Sequence, residues 1–170
     1  MILVAGTLVS AAPRDDKDKA ERRAAAQAQF EILKKLAGNW SGKAGHDGGD
    51  AFDATVSYRV TSAGNTVMET LFEGTAHEMV TMYHLHGDAL ILTHYCAAGN
   101  QPRMKAAPSE NAKKLVFKFL DGTNLDPAKD MHMHEAAIEF VAEDHIRSSW
   151  TSYNKGEPVT TAKFDLTRKK

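Results

Sequence analysis

The chain has 170 residues, with 21 Lys+Arg against 22 Asp+Glu, 42% hydrophobic and 25% charged residues, one Cys and 8 His. That length suits one domain with a core of its own, since domains commonly run about 100–150 residues. A formal net charge of −1 gives no field to gather phosphates or anionic lipid, which argues against nucleic-acid or membrane-surface partners, and the lone Cys96 excludes an intramolecular disulfide and any multi-cysteine zinc or iron–sulfur site. The histidine excess stands out, because imidazoles suit metal, haem and acid–base chemistry.

Residues 1–12 (MILVAGTLVSAA) are apolar and end in small residues, and a charged stretch follows at once. They read as the apolar region of a secretory signal, with Val9-Ser10-Ala11 as a small-x-small cleavage site and no basic segment before it. About 11 apolar residues are too few to span a bilayer, which needs roughly 20. A secreted or periplasmic protein is expected; the alternative is a cytoplasmic chain with an apolar N-terminus.

Residues 15–37 are rich in Ala, Glu, Lys, Arg and Gln and hold no Gly or Pro, which predicts a helix. Asp15 or Asp16 can cap its start and Gly38 can end it. Only Phe30, Leu33 and Leu36 or Ala37 make an apolar stripe, so the last two turns should dock on the core. After Gly38 the period changes to two. Phe52, Ala54, Val56, Tyr58 and Val60 alternate with polar residues, and similar runs follow at 66–73, 77–86, 89–97, 101–106, 113–120, 132–141, 144–153 and 159–167. Turn residues separate them at 63–65, 86–88, 121–122, 143–144 and 154–156, and residues 125–129 can form one helical turn. Counting 39–44, about ten strands with no crossover helix predict an all-β fold over residues 38–170. An up-and-down antiparallel barrel fits best because closure removes exposed edges; a two-sheet sandwich is the alternative.

Gly38-Asn39-Trp40, between the helix and the first strand, resembles the Gly-x-Trp signature of lipocalins and the wider calycin superfamily. The resemblance implies that Trp40 closes the base of a ligand-binding barrel and that a basic residue of the last strand, here Arg168, packs over it. Extended to Gly42, the motif is similar to the opening of nitrobindin-type ten-stranded haem barrels. That likeness stops at Lys43-Ala44-Gly45, and no His follows His145 where that family's proximal haem ligand would stand. Residues 67–104 also resemble uncharacterised bacterial lipocalin-like proteins.

Alternate side chains of a barrel strand face the lumen, so pairing register converts sequence into lumen candidates. A two- or four-residue loop around Ala63-Gly64 sets Tyr58 against Glu69 and Val56 against Leu71, which turns Glu69 inward. A three-residue loop would instead leave Glu69 in water. Around Gly87, Met79, Thr81, Tyr83 and Leu85 share a face with Leu90, Leu92, His94 and Cys96, making His94 the best lumen histidine. His132 and His134 share parity with Ala136, Ile138 and Phe140, which places them near a mouth of the barrel. Two imidazoles of a His-x-His strand pair stand ~7 Å apart and can serve one metal, with His94 or Glu69 as the available third ligand.

Adjacent Asp–His pairs (His46-Asp47, Asp144-His145) face opposite ways and make no dyad, and Cys96 in apolar surroundings is an inert thiol. No phosphate loop, His-Glu-x-x-His or nucleophile elbow occurs. Asn100-Gln101-Pro102-Arg103 could hold an anion at a rim. The expected function is binding of a small, mainly apolar molecule in the lumen. Tyr58, Glu69, Tyr83 and His94 would supply polar contacts, Arg103, His132 and His134 would stand at the mouth, and Phe117 would form part of the wall. The second reading is a haem or metal protein, or an enzyme, that uses His94 with His132 or His134. The sequence names no catalytic residue and no cofactor, and it is compatible with a homodimer.

Overall fold

The computed structural model describes residues 13–108 and 113–170; the expected export segment, 1–12, lies outside them. Helix α1 spans Pro13–Lys34, with Pro at a position where a missing N–H is harmless. It therefore starts ahead of the Asp15 or Asp16 cap expected from the sequence. Ala26, Phe30 and Leu33 form its buried stripe. The expected continuation to residue 37 is replaced by a tighter exit: the amides of Lys35, Leu36 and Ala37 bond to carbonyls three residues back. Gly38 then turns the chain at φ +131, a conformation open to glycine.

Ten strands follow. They are β1 (Gly38–His46), β2 (Phe52–Thr61), β3 (Thr66–Leu71), β4 (Met79–His86) and β5 (Ala89–Tyr95), then β6 (Gln101–Ala106), β7 (Lys114–Thr123), β8 (His132–Ala142), β9 (His145–Asn154) and β10 (Glu157–Arg168). Each pairs antiparallel with its sequence neighbours, and β1 also pairs β10, so the sheet closes into a barrel. The sandwich alternative is thereby overturned. Short turns fix the register where the sequence supplies left-handed residues: Gly87 (φ 63) turns β4 into β5, and Lys155-Gly156 (φ 53 and 81) turns β9 into β10. Residues 126–130 close one helical turn, with Asp130 N donating to the Asp126 carbonyl at 2.8 Å.

The barrel has a closed end and an open end. Phe30, Leu33 and Leu36 cap the closed end, above which Trp40, Val67, Leu92, Met104, Leu115, Phe117, Ile146 and Leu166 fill the lumen. Arg168 pairs with Trp40 across β10 and β1, its guanidinium carbon 4.3 Å from the indole centroid. It donates to the Lys35 and Ala37 carbonyls at 2.9 and 2.7 Å, while the Trp40 indole N–H donates to the Leu36 carbonyl at 2.8 Å. One arginine thus ties the last strand to the orphan carbonyls of the helix end. Gly42 serves the same closure, because a Cβ there would lie 2.0 Å from the Asp165 carbonyl oxygen.

Candidate functional site

At the open end the lumen is not filled. A cavity of about 490 Å³ is walled by Leu71, Phe72, Met79, Met133, Trp150 and Phe164, with Ala162 and His94 completing the inner lining and His46, Phe52, Asp53, Thr75 and His77 at the rim. This size lies within the usual range for small-molecule sites. Asp53, the one carboxylate among the described lining residues, is 90% exposed and pairs with Lys43 at 2.7 Å; none of those residues is Lys or Arg.

Phe72 enters this wall against strand parity. Just past the end of β3 its backbone is left-handed, φ +55, a conformation that costs a bulky residue energy. The Phe72 amide donates to the Thr55 carbonyl, and the Phe72 carbonyl accepts from the Thr75 hydroxyl at 2.8 Å. These bonds hold the strained residue with its ring 6.2 Å from Phe52 and 6.1 Å from Phe164.

Beneath the cavity runs one rung of the sheet. Tyr58 of β2 stands opposite Glu69 of β3, Glu69 opposite Thr81 of β4, and Thr81 opposite His94 of β5. The four-residue loop 62–65 sets this register, so Glu69 faces inward and is 1% exposed. Among the described residues no cation stands beside its carboxylate. Instead Tyr58 donates to Oε1 and Tyr83 to Oε2, each at 2.7 Å, and the Thr81 hydroxyl stands opposite on β4. Burial raises the Glu69 pKa above the ordinary carboxylate value against the lowering effect of the three hydroxyls. Burial likewise pushes both tyrosines well up, with the Glu69 charge adding to it, so both stay protonated donors.

His94 joins this network to the cavity. Its Nδ1 lies 3.0 Å from the Thr81 hydroxyl, its ring is 4.7 Å from that of Trp150, and its Nε2 is buried without a partner. Burial lowers its pKa from 6.5 to about 4, so the imidazole is neutral near pH 7. A buried nitrogen with no hydrogen bond is costly, and here it belongs to a cavity-lining residue.

Of the eight residues singled out from the sequence, only His94 lines the cavity, and Tyr58, Glu69 and Tyr83 form the floor beneath it. Phe117 lies deeper, fully buried with its ring 5.6 Å from Tyr83. Arg103 is not at the cavity: on the outer face it pairs with Asp121, which stands opposite it across a register shift between β6 and β7. His132 and His134 also depart from expectation. A bulge between Met133 and Glu135 on β8 breaks the parity, pairing His132 with Tyr153 and turning Met133 to the cavity. Because a carbonyl only accepts, His132 Nδ1 donates to the Asp130 oxygen at 2.9 Å, and its Nε2 meets His134 Nδ1 at 2.9 Å. The rings sit 5.2 Å apart instead of the expected ~7 Å, with His134 stacked on Phe119 and Tyr153. Burial and the neighbouring His132 lower the His134 pKa. Neither histidine reaches His94's cavity, and the described residues contain no group of three or more His, Cys, Asp or Glu placed to hold a metal.

The sequence reading missed Trp150, Met133, Phe164 and the rim residues His46 and His77. Trp150 was within reach, since it alternates with the buried Ile146, Ser148 and Ser152, but two serines mask that stripe. Met133 could be found only with the bulge, which no glycine marks.

No family model and no curated protein matches the chain. Among solved structures it is similar to a protein of the DUF3598 family from Nostoc punctiforme, described as of unknown function, at 17% identity and a TM-score of 0.57. The match covers 81% of this chain and 48% of that one, so the chain spans about half the length of that relative. It is also similar to Rv2717c from M. tuberculosis, at 16% identity and a TM-score of 0.56, over 84% of this chain and 98% of that one. At such identity the likeness concerns the fold. No helix among the described residues is long and apolar enough to cross a membrane.

Proposed function

We propose that this calycin-like barrel binds a small, mainly apolar molecule in the cavity at its open end. The carrying observation is the cavity itself: about 490 Å³ walled by aromatic, Met and Leu side chains above a lumen that is otherwise filled. Burial of apolar ligand surface there is worth roughly 25 cal/mol per Å². The test uses an uncharged solvatochromic dye such as Nile red. It should bind the full chain with a blue shift and lose most of its affinity in Ala162→Phe, which fills the cavity from β10. Equal binding by a folded Ala162→Phe protein would remove this reading.

A haem reading draws on the free Nε2 of His94, which could serve as an axial ligand. The donor set fits haem poorly: the described lining offers no Lys or Arg to pair propionates, and His132 and His134 bond each other. Absence of a Soret shift when haemin is added would dispose of it.

A further inference from the structure

The hydrogen-bond rung under the cavity specifies the polar contact its ligand makes. A carboxylate has only acceptors. Glu69 takes the hydrogens of Tyr58 and Tyr83, and the Thr81 hydroxyl opposite it on the rung lowers its pKa as a third donor does. The Thr81 hydroxyl has one hydrogen, and once it is given to Glu69, the oxygen can only accept from His94 Nδ1, 3.0 Å away. In that arrangement Nδ1 carries the ring's single hydrogen and Nε2 is a bare lone pair, so that Glu69 sets the tautomer of a histidine on the next strand but one through a threonine.

We infer that the cavity selects an uncharged, flat apolar molecule bearing one N–H or O–H donor, of the phenol or indole class, which gives its hydrogen to Nε2 of His94. This rests on the cavity being a ligand site, as proposed above. The buried Nε2 has no partner among the described residues, so a donor supplies the missing bond, while a ligand without one leaves it unmade. The Trp150 ring beside His94 and the Phe72 and Phe164 rings offer stacking surface. An ionised carboxylic acid brings further lone pairs against Nε2 and finds no cation among the described lining residues. An ammonium could donate, but it must shed its hydration among apolar walls, with Glu69 already held by two tyrosine hydroxyls.

Four matched naphthalenes separate these cases by calorimetry on the full chain: naphthol, its methyl ether, naphthoate and naphthylmethylamine. Naphthol should bind about tenfold or more tighter than the ether, a difference of about 1.4 kcal/mol, with the acid and the amine weaker than naphthol. In His94→Phe the ratio of naphthol to ether affinity should fall to about one. Nitrogen-15 correlation spectra of the wild-type imidazoles give a second readout that needs no variant: His94 should show a protonated Nδ1 and a bare Nε2 whose shift moves on adding naphthol. Equal affinity of naphthol and ether, tightest binding of the acid or amine, or a protonated Nε2 overturns the inference while the dye result keeps the ligand site. If neither the dye nor any naphthalene binds, the site reading falls, and the inference falls with it.

Discussion

Thr81 stands between Glu69 and His94 on their shared rung, its hydroxyl 3.0 Å from Nδ1 of His94 and acting on the Glu69 carboxylate to lower its pKa. Thr81→Val keeps the shape and removes the hydroxyl between the two groups, leaving His94 Nδ1 without its partner and the buried carboxylate without its third hydroxyl. Each such loss costs about 1–3 kcal/mol, so urea unfolding should show a loss of about 2–4 kcal/mol. Thr81→Ser keeps the hydroxyl and loses one methyl, for about 1 kcal/mol. If the valine variant is as stable as the serine variant, the hydroxyl does not bridge the two groups.

Arg168 should be worth more than a surface arginine. Besides stacking on Trp40, it donates to the carbonyls that end α1 and, at 2.8 Å, to Asp144. Arg168→Met should cost about 2–4 kcal/mol. Arg168→Lys should recover less than half, because an ammonium cannot bridge several carbonyls as a planar guanidinium does. Hydrogen exchange should show Phe30 to Leu36 opening before the sheet does. Exchange that rises evenly over the whole barrel would contradict a local tie.

Two glycines of β1 make a matched pair. A Cβ on Gly42 would lie 2.0 Å from the Asp165 carbonyl oxygen, whereas on Gly45 the nearest atom would be 3.7 Å away. Gly42→Ala must push β10 aside, which should cost about 3 kcal/mol or more. Gly45→Ala should change stability by less than about 1 kcal/mol. Thermal melts of the two proteins decide it; similar melting points would mean that the strands do not meet this closely.

The glycine contrast also shows how far the sequence could be read. Turn chemistry narrowed the β2–β3 register to two choices, an even loop that pairs Tyr58 with Glu69 or a three-residue loop that turns Glu69 to water; the structure has the even loop, and Thr81 pairs with His94. Trp40 under Arg168 followed from the Gly-x-Trp resemblance and is also present. Parity failed where β8 carries an extra residue. The bulge at Met133–Glu135 sends His132 and His134 away from the cavity, and no glycine or proline marks it. Arg103 instead obeys parity, facing outward on β6 between the buried Pro102 and Met104, where it meets Asp121. Phe72 defied parity for another reason: its left-handed φ is held by a bond to the Thr55 carbonyl of β2 and by the Thr75 hydroxyl three residues on, and no glycine at that position signals such a turn.

His94 should make stability fall in acid over a defined window. Burial lowers its pKa from 6.5 to about 4, so below 6.5 the unfolded chain takes up a proton that the folded chain refuses. The contribution is therefore complete above the unfolded value and is lost progressively as pH drops from 6.5 toward 4, amounting to about 3 kcal/mol. Glu69 works in the opposite sense. Its raised pKa makes the fold relatively more stable as pH falls through the folded value, so the wild-type profile alone is a sum of two opposing slopes. Comparing wild type with His94→Phe at each pH removes the Glu69 part to first order and leaves that of His94. The wild-type advantage should shrink by about 3 kcal/mol between pH ~7 and pH ~4, and a ligand that occupies Nε2 should carry the loss to lower pH, because protonation must then compete with binding. Parallel unfolding curves for the two proteins across that range would mean that His94 is hydrated or already charged in the fold, and that the cavity floor is not the dry, neutral acceptor described above.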